Sequence, residues 1–484
     1  MATSVSGVGS ITSTGIGSGL DVTSILEKLM AVEQKPLDLL KTAATGLNTK
    51  LSNVGKLQGF FSALRDKANA LTAPTLWSAT TATSADTASV KVATGTNAVA
   101  GSYAVQVDRL ATGQTVTAAA LPASTSTLGE GTLTIELGTW GAGDPPADFT
   151  AKTGASPVSV TIGAGDTSLA AIRDKINAAG AGVTASLVTD ASGTRLSLRS
   201  RETGAENAFR ISVDATGASS GLGALAYDAT DTGSPMQRST SAANAELQVN
   251  GIALSSASNT LSNVVDGLTL TLAKTTTSAV DVNVASDTTS VKTEVTDFVT
   301  AFNNLASFIR TQTAYNADSK TAGALQGDQG TLALQSQLRG VLNEGSTASS
   351  AWSRLSDIGL ALKSDGTLET NATKLDNALG NLGELKKLMA GDGSTTAAMG
   401  FVRRFKNLAD AALGSEGVFQ SRTTSIQASL TRNGKSQDSM EQKLEKTRAR
   451  LQAQYAALDT QMATLTNLST YMTQQITQMN KSSA

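Results

Sequence analysis

The sequence predicts an α+β fold in which long terminal coiled-coil-like helices and a helical bundle carry two antiparallel β-rich head domains, one inserted in the other. Apolar residues recur every three or four positions at both ends of the chain, as in amphipathic helices. In the middle the period falls to two and Thr, Ser, Gly and Val dominate, as in antiparallel strands. We expect terminal leg helices, flexible when free, over 1–40 and 430–484, a bundle stalk over 41–77 and 286–429, an outer head over 78–118 and 240–285, and an inserted head over 119–239.

The first helical segment is expected to begin after Asp21, whose carboxylate can cap the free N–H groups of a first turn. Pro36 lacks a backbone N–H, so we expect it to interrupt or restart this helix. Beyond Pro36 an apolar residue stands at every seventh position, which favours packing against a second helix. The members of this row are Leu40, Leu47, Val54, Phe61 and Ala68.

The central segment alternates apolar and polar residues in short runs, which predicts strands. Asn250-Gly251 separates two such runs, and both residue types accept a positive φ, so a tight hairpin is expected there. One helix interrupts the strands. It is expected to follow Asp166 and Thr167 as cap residues and to end at Gly180.

The C-terminal part returns to a helical period. Apolar residues from Val291 to Ile309 advance by steps of four and three, which predicts a helix with one packed seam. A last helix is expected from Ser436 to Lys481, because its apolar residues recur at every seventh position. The members of this row are Leu444, Leu451, Leu458, Leu465, Met472 and Met479. The row fits an assembly contact, and it equally fits a hairpin with the first long helix of the same chain.

The composition excludes several classes of chemistry. The 484 residues contain no Cys and no His, which removes thiol nucleophiles, disulfides, histidine ligands and the Ser-His-Asp triad. With 38 Lys and Arg against 40 Asp and Glu, the chain has no excess of positive charge for nucleic acid. Neither an apolar run of membrane-spanning length nor a cleaved secretory signal is found. We expect no enzyme activity, no cofactor, no metal, no nucleic-acid partner and no membrane insertion.

Two short motifs imitate phosphate-binding loops. The run Gly15 to Leu20 lacks the third glycine of a dinucleotide fingerprint, and Gly434-Lys435-Ser436 lacks the first glycine of a phosphate loop. A flexible helix leader explains the first, and helix punctuation explains the second. The carboxylate pair Asp228 and Asp231 lies in a loop rich in Gly and Ser, so solvated loop residues explain it better than acid–base catalysis.

The opening of the chain resembles that of the flagellar filament cap family, the hook-associated proteins of type 2. The matching N-terminal motif consists of Gly15, Gly17, Gly19, Leu20, Asp21 and Pro36. Residues 160–211 look like the repeat motif shared by flagellins and hook-associated proteins. Further blocks follow the family pattern in order, among them 245–251, Asp365-Gly366 and Tyr471-Met472. The resemblance covers nearly the whole chain.

This resemblance implies a non-enzymatic capping protein at the distal tip of the bacterial flagellar filament. The family forms a homo-oligomeric ring of several copies that promotes folding and insertion of exported flagellin. Its members leave the cell through the flagellar type III apparatus without a cleaved signal peptide. The implied partners are flagellin, the hook-associated proteins of the hook-filament junction and an export chaperone on the C-terminal helix. For the leg contacts, both apolar rows above are the expected surfaces.

Besides hydrolysis of a polymer by a carboxylate pair, which ranks last, two alternatives stay open at this point. An extracellular adhesin would bind glycans through its β heads, which suits loops rich in Ser and Thr. Another hook-filament junction protein would share the helical ends. Oligomeric state and the behaviour of a head fragment would distinguish these classes.

Overall fold

The computed structural model describes residues 21–215, 221–318 and 320–482. The chain divides into two compact units. One unit combines the chain ends, 1–76 and 288–484, and the other consists of residues 77–287. The α+β prediction is confirmed, since the first unit is mainly helical and the second mainly antiparallel sheet.

The helices are α1 Val22–Thr72, α2 Pro74–Ser78, α3 Leu169–Ala178, α4 Thr288–Thr313, α5 Gln329–Asn343, α6 Ala372–Leu379, α7 Leu382–Ala390, α8 Phe401–Leu413 and α9 Val418–Ser482. The strands before the single helix of the β-rich unit are β1 Thr80–Ser84, β2 Val90–Thr94, β3 Gly101–Arg109, β4 Thr115–Thr117, β5 Gly131–Trp140, β6 Phe149–Ala151 and β7 Val158–Ile162. The strands after it are β8 Val183–Asp190, β9 Gly193–Ser200, β10 Ala208–Ala215, β11 Gln237–Thr240, β12 Ala245–Val249, β13 Ile252–Ser256, β14 Thr260–Ser262, β15 Leu268–Leu272 and β16 Val280–Ser286. Two short hairpins lie in the helical unit, β17 Tyr315–Asn316 with β18 Thr321–Ala322 and β19 Leu360–Leu362 with β20 Leu368–Thr370.

Helix α1 begins as expected but does not break at its proline. Asp21 caps it by accepting a hydrogen bond from the backbone N–H of Ser24 at 2.9 Å. The predicted interruption at Pro36 is wrong, because the helix continues through it to Thr72. Proline removes one backbone hydrogen bond, to the carbonyl of Val32. Val32 lies at the solvent-exposed surface, where water can replace that bond, and the next residue, Leu37, is buried and anchors the helix.

Helix α9 starts earlier than predicted. Its first turns bury Phe419 and Ile426 in the helical unit, so the helix begins at Val418 instead of Ser436. The predicted punctuation at Gly434-Lys435-Ser436 is wrong as well, since the helix runs straight through. One interior glycine costs a helix only about 1 kcal/mol, which is too little to end a helix of 65 residues. The expected borders at 40/41 and 429/430 therefore fall inside continuous helices.

The core of the helical unit forms around α1, α4 and α8. The predicted seam of α4, which begins at Val291 and ends at Ile309, is buried. Phe298 and Phe302 of this seam lie 5.4 and 5.7 Å from the ring of Phe405 on α8. Such offset aromatic contacts add to the burial of apolar area.

A buried arginine on α8 holds the loops around it. The side chain of Arg404 donates hydrogen bonds to the backbone carbonyls of Gly345, Ala397 and Met399 at 3.0 to 3.1 Å. Burial lowers the pKa of the Arg404 guanidinium, and the charge of nearby Glu344 partly opposes that shift. Arg404 therefore joins two loops, the one after α5 and the one between α7 and α8, that the sequence pattern leaves unconnected.

The β-rich unit contains two hydrophobic cores. One includes side chains of β5, β7, β8, β9, β10 and α3. The other lies between the five-stranded sheet β1-β16-β3-β12-β13 and the three-stranded sheet β14-β15-β2. All strand pairs with a described register are antiparallel. The hairpin at Asn250-Gly251 is confirmed, with φ of 50° and 79°.

Local details of this unit differ from the sequence-based prediction. Ser168 caps α3, in place of Asp166 or Thr167, because its backbone is extended and its hydroxyl accepts the N–H of Ala171. Strand β4, counted with the outer head by the expected border at 118, pairs with β9 and β11 in one sheet. The division into two heads stays a prediction, but the pairing places residues 115–117 with strands of the inserted segment.

Candidate assembly surface

Helices α1 and α9 run antiparallel along each other. Near the bundle, the rings of Phe61 and Phe419 meet edge to face with centroids 5.3 Å apart. Further along, Nζ of Lys41 lies 3.8 Å from Oε1 of Glu441, an exposed pair that contributes little to stability. The hairpin with the first long helix, which the sequence left open, is therefore formed within the chain.

The first turns of α9 are held by an ion pair between a half-buried arginine and a buried carboxylate. Arg422 on α9 donates a hydrogen bond to Oδ2 of Asp328, which is the cap residue of α5. Oδ1 of Asp328 accepts the backbone N–H of Thr331 at 3.0 Å. Burial acts to raise the pKa of Asp328, but the bonds from Thr331 and Arg422 outweigh it, and the pKa lies below its ordinary value. No sequence pattern predicts this contact, since Asp328 and Arg422 are 94 positions apart in the chain.

The far end of the helix pair leaves a groove. Its volume is about 610 Å³, and apolar side chains of α1, among them Leu26 and Met30, face the small residues Ala453 and Ala456 of α9. Arg448 lies at its edge. Because α9 has short side chains there, the two helices do not fill the space between them.

The seventh-residue row of α9 extends beyond α1. Leu444 and Leu451 are half-buried beside α1, whereas the later members are exposed. The exposed fractions are 42% for Leu458, 60% for Leu465, 55% for Met472 and 66% for Met479. At the antiparallel register of Lys41 with Glu441, the start of α1 at Val22 lies level with about residue 460 of α9, so the last three members of the row lie past the end of α1. We call residues 458–482 the tail and these four side chains the exposed row.

The tail is almost free of charge. No Asp, Glu, Lys or Arg occurs between Asp459 and Lys481. Threonine hydroxyls bond back to the backbone carbonyl four residues earlier, as at Thr466 and Thr473. Because these hydroxyls already have a partner, covering the tail by another helix leaves them satisfied.

Other predicted contact residues lie inside the chain. On α1, Leu40 and Leu47 are half-buried, and Val54 and Phe61 are fully buried. Val54 and Phe61 are thus packing residues of their own helical unit, and the role of the rows in contacts between subunits stays a proposal. Of the N-terminal motif, Asp21 and Pro36 are described above, while Gly15, Gly17, Gly19 and Leu20 lie outside the described residues.

Two long helices that flank a β-rich insertion in sequence, one of them with an exposed apolar row, are features of a structural protein. Within residues 21–215, 221–318 and 320–482 there is no cluster of three or more acidic, Cys or His side chains suited to a metal ion. In the same part of the chain, no helix combines the length and hydropathy needed to span a membrane.

Comparison with known families identifies the chain. Family models match in three places: "Flagellar hook-associated protein 2 N-terminus" at residues 18–114, "Flagellin hook IN motif" at 148–202 and "Flagellar hook-associated protein 2 C-terminus" at 242–467. The chain belongs to the flagellar hook-associated protein 2 family. The resemblance noted from the N-terminal motif is therefore confirmed.

Relatives match over almost their full length. Flagellar hook-associated protein 2 of Escherichia coli K12 is 33% identical over 479 residues, 96% of this chain and 98% of the relative. B-type flagellar hook-associated protein 2 of Pseudomonas aeruginosa PAO1 is 30% identical, over 97% of this chain and 96% of the relative. The crystal structure of the E. coli flagellar cap protein FliD, domains D1-D2-D3, matches with a TM-score of 0.58 and 32% identity, over 78% of this chain and 99% of that one.

Proposed function

We propose that this protein caps the distal tip of the bacterial flagellar filament and promotes folding and insertion of exported flagellin, without catalysing a reaction. The observation that carries this is the exposed, nearly uncharged tail of α9, which continues beyond the part of α9 that packs on α1. Membership of a family with a crystallised flagellar cap protein supports the same function.

The proposed mechanism uses packing alone. A ring of several copies closes when each copy presents one surface to the next around an axis. The exposed row supplies an apolar stripe with helical spacing, which suits contact with a helix or groove of another subunit. Flagellin that leaves the export channel would fold under this ring, and each insertion would exchange one set of tail contacts for another.

The proposed partners use the same tail at different stages. Before export, a chaperone in the cytosol would cover the C-terminal helix. At the filament, flagellin and the hook-associated proteins of the hook-filament junction would take its place. The tail suits exchange between partners because its contacts are apolar and its threonine hydroxyls are satisfied within the helix. The protein would act outside the cell at the flagellum tip, after export by the flagellar type III apparatus without a cleaved signal peptide.

No specific observation in the structure favours the adhesin or the other junction protein. A glycan-binding adhesin would need an aromatic ring that is free to stack on a sugar. The tryptophan of the inserted segment, Trp140, instead packs inside the chain. Its ring contacts Phe149 at 4.5 Å, and its Nε1 donates to Gln114 at 2.7 Å. For another hook-filament junction protein, the matching family models are those of flagellar hook-associated protein 2 and the hook IN motif, and the relatives described above are hook-associated proteins of type 2.

A deletion experiment tests the capping function. In the bacterium that produces this protein, we expect deletion of its gene to shorten or abolish filaments and to release flagellin monomers into the medium. The full-length gene should restore filaments, whereas a gene that ends before residue 458 should not. Filaments of normal length in the deletion strain would refute the proposal.

A further inference from the structure

Two glycines stand at matching levels in the paired helices. Between the Phe61–Phe419 contact and the Lys41–Glu441 contact, α1 and α9 run antiparallel. At this register, Gly434 of α9 lies within about two residues of the level of Gly46 on α1, or about 3 Å along the axis. Both glycines lie deep inside continuous helices.

Packing does not require either residue to be glycine. A Cβ atom added at Gly46 or at Gly434 would meet nothing within 4 Å. The space beside Gly46 is an open groove of about 570 Å³ against residues 322–326. Each glycine nevertheless weakens its helix by about 1 kcal/mol relative to alanine, because glycine leaves the unfolded backbone more conformational freedom.

The chain is also thinly packed at this level. None of residues 38–53 of α1 is buried, although Leu37 and Val54 on either side of this stretch are. On α9 no residue from 427 to 480 is buried. Polar side chains partly occupy the contact face, where Nε2 of Gln437 donates to Oδ1 of Asn433 at 2.5 Å. Few buried contacts and weak helix formers are the features of a region that opens locally at low free energy.

We propose that Gly46 and Gly434 form a paired hinge, at which the outer part of the α1–α9 pair bends relative to the helical bundle. Both helices must yield at one level for the pair to bend without separating. On the bundle side of the hinge, Phe419 and the bond from Arg422 to Asp328 hold α9 in place. On the outer side lie the groove and the tail. The proposed function would use such a bend when tail contacts change, but the hinge itself does not depend on that function.

Distance measurements on the purified full-length chain test the hinge. The chain has no cysteine, so Gln427→Cys with Gln454→Cys gives two unique, exposed spin-label sites on α9, one on each side of Gly434. A straight helix sets their separation at about 40 Å. We expect a broad distance distribution that extends below this value. Gly46→Ala with Gly434→Ala should narrow the distribution to about half its width, because alanine strengthens both helices.

A matched control separates a hinge from a general gain in helix strength. Gly55 and Gly59 lie on α1 among the buried residues Val54, Leu57 and Phe61, and added Cβ atoms there also meet nothing within 4 Å. Gly55→Ala with Gly59→Ala should leave the distribution unchanged. A single narrow distance in the unsubstituted chain, or equal narrowing by the control pair, would overturn the proposal. Since the measurement uses the isolated protein, failure of the capping function leaves its outcome intact.

Discussion

The guanidinium of Arg422 reaches across from α9 to the carboxylate of Asp328, a side chain with only 5% of its surface exposed. Asp328 is the cap residue of α5, so one carboxylate both caps α5 and holds the first turns of α9. The longest helix of the chain is therefore fixed at its base and progressively less packed toward its end.

Removal of the arginine should destabilise the helical unit. Arg422→Ala leaves the buried carboxylate without its cation, and we expect the free energy of unfolding to fall by about 1–3 kcal/mol. Urea unfolding followed by far-ultraviolet circular dichroism measures the change. The control Arg450→Ala alters an exposed arginine of the same helix and should change stability by less than about 0.5 kcal/mol. Equal losses of stability in both variants would show that the ion pair contributes no more than an exposed arginine does.

The same pair predicts a direction for the pH dependence. The pKa of Asp328 in the folded chain lies below its ordinary value of 3.8. Its charged form is therefore bound more favourably in the folded state, and the resulting stability is present above pH 3.8 and is lost as the pH falls through the folded pKa. The difference in unfolding free energy between the natural chain and Asp328→Asn should shrink on acidification below about pH 4. A difference that grows on acidification would show that folding raises the pKa of Asp328 instead of lowering it.

Two leucines of α1 provide a matched test of its packing. Leu57 is buried and Leu39 is 70% exposed. Leu57→Ala creates a cavity in the bundle and should cost about 2–5 kcal/mol, while Leu39→Ala should cost less than about 0.5 kcal/mol. Thermal or urea unfolding of the helical signal compares them directly. Similar costs for the two changes would contradict the packing of α1 described above.

Substitutions in the exposed row should separate function from folding. Leu465→Asp with Met472→Asp places charges on a solvent-exposed surface, so we expect stability within about 0.5 kcal/mol of the natural chain. Contacts with other helices would lose apolar area and gain buried charge, so filament growth and motility should fall strongly. The control Gln461→Asp with Gln474→Asp adds the same charge at exposed polar positions of the tail and should leave motility near normal. Normal motility of the row variant would count against the tail as a contact surface.

The period of the apolar residues predicted which segments form helices and which form strands, because this period depends on local backbone geometry. The seam of α4 and the hairpin at Asn250-Gly251 are found where the pattern put them. Local rules failed at two positions. At Pro36 the next residue, Leu37, is buried and anchors the helix, and at Gly434 the penalty of one glycine is too small to end a long helix.

The candidate surface could be foreseen only in part. The heptad row from Leu444 to Met479 is visible in the sequence, but the point at which it passes the end of α1 depends on the register of the two helices, which only the fold shows. The bond between Asp328 and Arg422 has no sequence signature, since no pattern connects two residues that are 94 positions apart. Contacts between residues distant in the chain require the fold itself.

Position on the filament is the most direct test of the central claim. Ala147→Cys in an exposed loop gives a unique site for a gold label in a chain that lacks cysteine. The variant should first restore normal motility to a strain that lacks the natural gene. Electron microscopy of the filaments of that strain should then show gold at the distal tip alone. Gold along the filament, or at its junction with the hook, would contradict a cap.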